Sequence, residues 1–243
     1  MRRLPLLHLS LIFLCMLPAT MIVPVLKDII KDRLGGSNAT VSFFVSIAML
    51  GAFLFGPVAG YISDRMRKRS SLIAVGALLD AICFFGMVQV GEIWLLLLIR
   101  FMEGAVSITV IGLLLAAITD RENDSSNPVF FQKGILMGLA GLLLSLGVGL
   151  GLPLGILGQT DPRLPFYIAA LLMLVTGILA LQLPESESIH TSRGQLSRLS
   201  VALRERPLIL IPFAFAFVDR FTVGFLVSAF NLHLRESLAF GPG

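Results

Sequence analysis

The chain has 243 residues, of which 56% are hydrophobic and 14% charged, with a mean hydropathy of +0.90, against roughly 25% charged residues in an average soluble domain. That balance excludes an ordinary soluble domain and describes a polytopic membrane protein. The net charge of +4 does not argue for nucleic acid, because the basic residues sit in short clusters between apolar runs without interleaved aromatics.

Met1-Arg2-Arg3 precedes an apolar run too long for the core of a signal peptide and without a small-residue cleavage site after it, so it reads as a first transmembrane helix. On a ruler of about 20 apolar residues per crossing, the chain offers about seven. They fall near Leu6 to Leu26, Thr40 to Ile62, Ser71 to Gln89, Ile93 to Thr119, Phe130 to Leu157, Leu164 to Leu183 and Pro207 to Leu232. Alternating the sides places Arg2, Arg3, the cluster Arg65 to Arg69, Arg121, Lys133, Arg193, Arg198, Arg204 and Arg206 together, and Lys27, Lys31, Arg33, Arg163 and Arg235 opposite them. The positive-inside rule then predicts a cytoplasmic N-terminus and a multi-pass protein of the cell's inner membrane.

The expected organisation is all-α: residues 1–183 form a six-helix transmembrane bundle, residues 184–206 a cytoplasmic connection, and residues 207–243 a seventh helix with the start of an incomplete second half. Within the connection, Leu196, Leu199 and Leu203 recur at helical spacing among Arg193, Arg198 and Arg204, which fits either an amphipathic helix on the membrane surface or a solvated basic linker. Pro18, Pro24, Pro57, Pro153 and Pro212 fall within spans, where neighbours can satisfy the freed carbonyls, and predict bends. Both cysteines, Cys15 and Cys83, lie inside apolar runs, which argues against a disulfide framework or a metal site. His8, His190 and His233 fall near span ends or in loops and read as solvated.

Charges inside the spans are the candidate functional groups, since each costs roughly 2.5 to 3.5 kcal/mol at the helix centre on insertion scales. Arg100, Glu103 and Ser107 share one stripe of the fourth span, facing a cavity or, on the plainer reading, neutralising each other at one turn's spacing. Asp80 in the third span stands at nearly the depth of Arg100, counted back from the short turn between the two spans at about 1.5 Å per residue. An Asp80–Arg100 ion pair is therefore expected if the facing sides of the two helices meet; otherwise Asp80 has only a structural partner. Asp219 and Arg220 lie at the middle of the seventh span about 100° apart, so they do not share one partner easily. They read either as substrate or proton groups or as a structural pair. In the fifth span Gly134, Gly138 and Gly141 make one row and Gly147, Gly151, Gly155 and Gly158 another, each suited to close helix approach. No Ser-His, paired Asp or His-Glu cluster stands at catalytic spacing in the spans, so the chain does not read as an enzyme.

Several of these stretches resemble motifs of the major facilitator superfamily. Gly60, Asp64, Arg65, Lys68 and Arg69 are in register with the family's G-x-x-x-D-R-x-G-R-R loop between helices two and three; Arg67 stands where the family prefers Gly, and Lys68 replaces Arg. Arg100 to Gly104 resembles the family's R-x-x-x-G, Pro24 to Leu26 its P-v-x-P with Lys27 in place of the last proline, and Gly147, Gly151, Pro153 and Gly155 the glycine-proline run of drug:proton antiporters, with the proline one place late and Ile156 where the last glycine belongs. The resemblance implies a secondary transporter in the lipid bilayer that exports small molecules by proton-coupled alternating access, and no cofactor is expected. It also implies that Arg100 takes part in proton coupling, that the seventh helix lines the cavity, that the glycine row controls leak, and that Asp64 latches a gate against a second half. Twelve helices in two halves are usual, so this chain is expected to be one half and a single further helix: a truncated transporter, a half-size protein working as a homodimer, or a non-transporting membrane interaction protein.

Overall fold

The computed structural model describes residues 3–65, 69–123, 134–183, 204–205, 207–225, 230 and 233–234. Its regular elements are helical: α1 (Arg3–Met21), α2 (Asn38–Arg65), α3 (Arg69–Gln89), α4 (Ile93–Asn123), α5 (Ile135–Leu154), α6 (Leu164–Ala180) and α7 (Leu210–Phe225), the last entered through a 3-10 turn at Pro207–Ile209. Lipid offers the backbone no hydrogen bonds, so an apolar run that crosses it has to satisfy its own amides, which a helix does. Stretches in α1 to α5 are long and apolar enough to cross a membrane, and α6 is apolar but has 17 residues. Most of the expected central connection, including the leucine-arginine stretch at residues 193–203, lies outside the described residues.

The first connection differs from the loop expected after Leu26. A proline cannot donate to the α-helical ladder, and around Pro24 the chain tightens into a 3-10 turn at Val23–Val25 before a π-helical turn at Asp28–Arg33. Ile29 and Ile30 are buried and hold this turn on the core, so Lys27, Lys31 and Arg33 ride on helical backbone. Arg33 Nη2 donates to the Val90 carbonyl at 3.2 Å, tying the turn to the α3–α4 connection. The turn ends where Gly36 N–H reaches Ile30 O and Gly35 N–H reaches Lys31 O, with Gly35 at φ 70°, a left-handed residue that glycine adopts without steric cost. Ser37 and Thr40 then bond reciprocally, each side-chain oxygen accepting the other's backbone N–H at 3.2 Å, which caps α2.

Packing runs α2 on α4, α4 on α3, α3 on α6, α6 on α1 and α1 on α5, with α4 also reaching α1 and α5. α1 is the most enclosed of the membrane-length helices, and α2 and α5 are the least. Two seams depend on glycine. Where α2 meets α4, a Cβ on Gly104 would fall on the Ala48 carbonyl and one on Gly51 on the Phe101 carbonyl, so the backbones touch. Along α1, Gly147 faces Met16 and the Phe13 carbonyl, Gly151 faces Thr20 and the Leu17 carbonyl, Gly155 faces Pro24, and Gly158 faces Val25. Thr20 Oγ1 donates across this seam to the Val148 carbonyl at 2.8 Å. Pro153 stands on the exposed side, just before α5 tightens into a 3-10 turn at Gly155–Gln159.

Two sequence expectations are corrected here. Among the described residues the inner glycine row makes no close approach: nothing lies within 4 Å of a Cβ built on Gly134, Gly138 or Gly141, and Gly134 instead starts α5 at φ 96°. Helical spacing shows that two glycines share a face, but not that a neighbour faces them. His8 is buried, because α1 is helical from Arg3 and its first turns already lie in the bundle, whereas His233 is exposed as expected. His190 lies outside the described residues.

The end of the bundle that carries the basic loop is closed by polar contacts. Arg69, at the start of α3, forms an ion pair with Asp120 of α4, and Ser70 Oγ donates to the Ala180 carbonyl of α6 at 2.8 Å in a buried position. These ties predict two outcomes. Gly104→Ala should lower the unfolding free energy in detergent by about 1 to 3 kcal/mol, while Gly112→Ala in the same helix, with open space in front of it, should leave it unchanged or slightly raise it. Asp120→Arg should destabilise by about 1 kcal/mol through like charges at a partly buried pair, and adding Arg69→Asp should recover most of that loss in the same unfolding measurement.

Candidate functional site

The third and fourth helices bring their charged residues into the core by simple periodicity. On α3 the buried positions include Ile73, Ala74, Ala77, Asp80, Ala81, Phe84, Met87 and Val88, so Asp80 stands in the middle of the inward face. On α4 the buried row runs through Leu96, Arg100, Glu103, Val110 and Leu114, and the Arg100–Glu103 pair occupies one turn of it. Asp80, Glu103 and Arg100 are 1%, 4% and 7% exposed, which makes them core residues and not lipid-facing or solvated ones.

Arg100 Nη1 donates to Glu103 Oε2 at 2.7 Å. The expected Asp80–Arg100 ion pair is therefore corrected. The two residues do lie on the same side of their hairpin and within electrostatic range, but the guanidinium pairs with the carboxylate one turn away on its own helix. Equal depth located the neighbour; it did not decide which acid a single guanidinium would take. Asp80 also lies within electrostatic range of Glu103, and its Oδ1 is buried without a hydrogen-bond partner, as is Arg100 Nε.

Other helices complete the cluster. Arg100 lies over the ring of Phe44 from α2, with Cζ 4.9 Å from the ring centroid, a contact worth about 2 kcal/mol where it is desolvated. Cys15 of α1 lies within electrostatic range of Asp80 and within hydrogen-bond reach of Thr176 of α6, and both Cys15 and Thr176 are buried. Cys83, one turn from Asp80 on α3, faces the two acids and is half-buried. Residues of α1, α2, α3 and α4 thus gather around two carboxyl groups and one guanidinium, with Thr176 of α6 beside Cys15. A buried ion that loses its partner is destabilising by about 3 to 5 kcal/mol, so an arrangement with one carboxyl in excess is neutral only when a proton or another cation is held there. Chemically, the cluster is suited to taking up and releasing a single positive charge inside an apolar bundle.

The remaining sequence candidates are placed as follows. Gly60 is exposed on α2 with open space in front of it, and Asp64 and Arg65 are the last residues of that helix, their side chains outside the described set; Arg69 makes the Asp120 pair. Ser107 is half-buried, one turn beyond Glu103. Asp219 and Arg220 lie on α7, again with side chains outside the described set. Sequence reasoning missed Phe44, Gly51, Asp120 and Thr176. Asp120 was legible as an acid at the end of α4 near a basic loop, and Thr176 as a polar residue near the C-terminal end of the apolar α6. Phe44 carried no signal, being one aromatic among many apolar residues on its helix.

Comparison with known proteins gives the lineage. A profile of the Major Facilitator Superfamily matches residues 9–242. The quinolone resistance protein NorA of Staphylococcus aureus is 24% identical over 238 residues, covering 95% of this chain and 58% of its own length. The class B tetracycline resistance protein of Escherichia coli is 31% identical over 162 residues, covering 64% of this chain and 38% of its own length. The chain therefore spans less than two thirds of the length of these relatives. With all-α architecture, membrane-length helices and a match across nearly its whole length, the chain belongs to the Major Facilitator Superfamily.

Proposed function

We propose that the protein acts in secondary active transport, exporting small organic molecules in exchange for protons by alternating access, with its N-terminus on the cytoplasmic side of the cell membrane. The observation that carries this reading is the Asp80–Arg100–Glu103 cluster. Two carboxyls compete for one guanidinium in a buried site, so the resting charge balance calls for one proton, and movement of the guanidinium from Glu103 to Asp80 would pass that proton from Asp80 to Glu103, from which it leaves when that acid opens to water. A protein with a purely structural use for Arg100 needs Glu103 alone. The lysine and arginine bias between loops supports the orientation, and the drug-resistance relatives support an export role.

In this reading Arg100, Glu103 and Asp80 handle the proton, Asp219 and Arg220 on α7 contact substrate or proton, and the loop of Gly60, Asp64, Arg65 and Arg69 gates the cytoplasmic end. The seam of Gly147, Gly151 and Gly155, with Pro153 at its turn, keeps α1 and α5 close enough to prevent leak. A second arrangement, two copies of the chain enclosing one path, is favoured by the exposure of α2 and α5, the least enclosed of the membrane-length helices. A native mass of two chains in lipid would support it, and a monomer that transports would exclude it.

Proteoliposomes provide the test. Substrate flux driven by a pH gradient should fall at least about tenfold in Glu103→Gln and in Asp80→Asn, corresponding to about 1.4 kcal/mol or more at the transition state. Exchange of labelled for unlabelled substrate without a gradient should persist, showing that the fold and the binding site survive. Gradient-driven flux retained in both variants would overturn the assignment of the proton to this cluster.

A further inference from the structure

α2 and α4 meet along two matching rows. On α2, Phe44, Ala48 and Gly51 recur at four and three residues and so share a face; on α4, Arg100 and Gly104 do the same. Ala48 and Gly51 form the backbone contact with Gly104 and Phe101, and one turn away Phe44 meets Arg100. The Phe44 ring is 1% exposed. The guanidinium is thus held from two directions: by Glu103 of its own helix through Nη1, and by the ring of a different helix against its face, while Nε makes no hydrogen bond. Among the described residues, the charged and titratable groups that face it or its partners are Glu103 from α4, Asp80 and Cys83 from α3, and Cys15 from α1.

We infer that Phe44 is a positioning residue that ties the Arg100–Glu103 ion pair to the position of α2, so that displacement of α2 along α4 releases the guanidinium toward Asp80. Three features carry this. An aromatic ring attracts a cation through its negatively polarised face and only over a short range, so a shift of the ring by an ångström or two removes the hold. The glycine contact beside it leaves the two backbones touching, with no side chain between them to absorb such a shift. Asp80 Oδ1, buried and without a partner, offers the guanidinium a second acceptor. α2 spans Asn38–Arg65 with Pro57 inside it, so one helix links its end beside the basic loop to the turn that carries Phe44. The consequence for transport rests on the proton-coupling reading above; the positioning role does not.

The experiment uses the protein in bilayers, with labelled arginine, glutamate and aspartate, and reads the magnetic dipolar coupling from the Arg100 Nη atoms to the Glu103 and Asp80 carboxyl carbons. Fluorinated phenylalanines at position 44 keep the ring's outline while draining its face of electron density. The Arg100–Glu103 coupling should fall stepwise from one to three fluorines, by about twofold at three, as the coupling to Asp80 rises. Phe44→Tyr should retain the coupling and Phe44→Leu should lose it. An Arg100–Glu103 coupling constant across the fluorine series would overturn the inference, because packing alone does not respond to ring charge. Gradient-driven flux measured on the same series separates the two readings: couplings that change while flux stays constant uphold Phe44 as a positioning residue and contradict proton handling by this pair.

Discussion

One guanidinium buried in an apolar bundle governs the arrangement around it. A charge inside lipid or a dry protein core has to be met by an opposite charge and by hydrogen bonds, or it destabilises the fold. Arg100 is met by Glu103 on its own helix and by the ring of Phe44 from the next. Asp80 then arrives from α3 as a second acid with no second base among the described side chains near it. The fold does not remove this imbalance, although an asparagine or leucine at position 80 would. On the proposed reading the imbalance is the function: a site short of one positive charge takes up a proton, and a guanidinium that changes partners hands that proton from one acid to the other, from which it leaves when that acid opens to water.

The geometry of the surrounding helices follows from how close they can come. With apolar tails outside, helices gain little from hiding leucines from each other and rely on close backbone packing. Glycine supplies that at Gly51 and Gly104 between α2 and α4, and at Gly147, Gly151, Gly155 and Gly158 along α1. These are the contacts through which a rigid-body shift of one helix reaches the next. By contrast the Arg69–Asp120 pair and the Ser70–Ala180 bond fasten α3 to α4 and α6 at the end with the basic loop.

Much of this was legible in the residues alone, for identifiable reasons. Apolar runs mark crossings because a charge in lipid is costly, and the polar stripe of Arg100 and Glu103 on α4 was visible because nothing else on that helix is charged between Trp94 and Thr119. The glycine row from Gly147 to Gly158 was readable as a seam. Which face of each helix points inward was not. In a soluble helix the polar side marks solvent, whereas here the lipid-facing and core-facing sides are both apolar, so Phe44 and Gly51 looked like any other residues of α2. The same ambiguity made Gly138 and Gly141 look like a contact row, and hid the burial of His8. The choice of Arg100 between Asp80 and Glu103 depended on side-chain reach that equal depth does not specify.

The central claim is that the excess carboxyl of the cluster carries a proton in the resting protein. Infrared spectroscopy of the protein in bilayers at neutral pH, with hydrogen replaced by deuterium in the solvent, reads this directly through the carbonyl stretch of a protonated carboxyl. The account predicts one such band from the bundle core that disappears in Asp80→Asn or in Glu103→Gln. A wild-type spectrum without it, or a band that survives in the protein carrying both substitutions, would contradict the account.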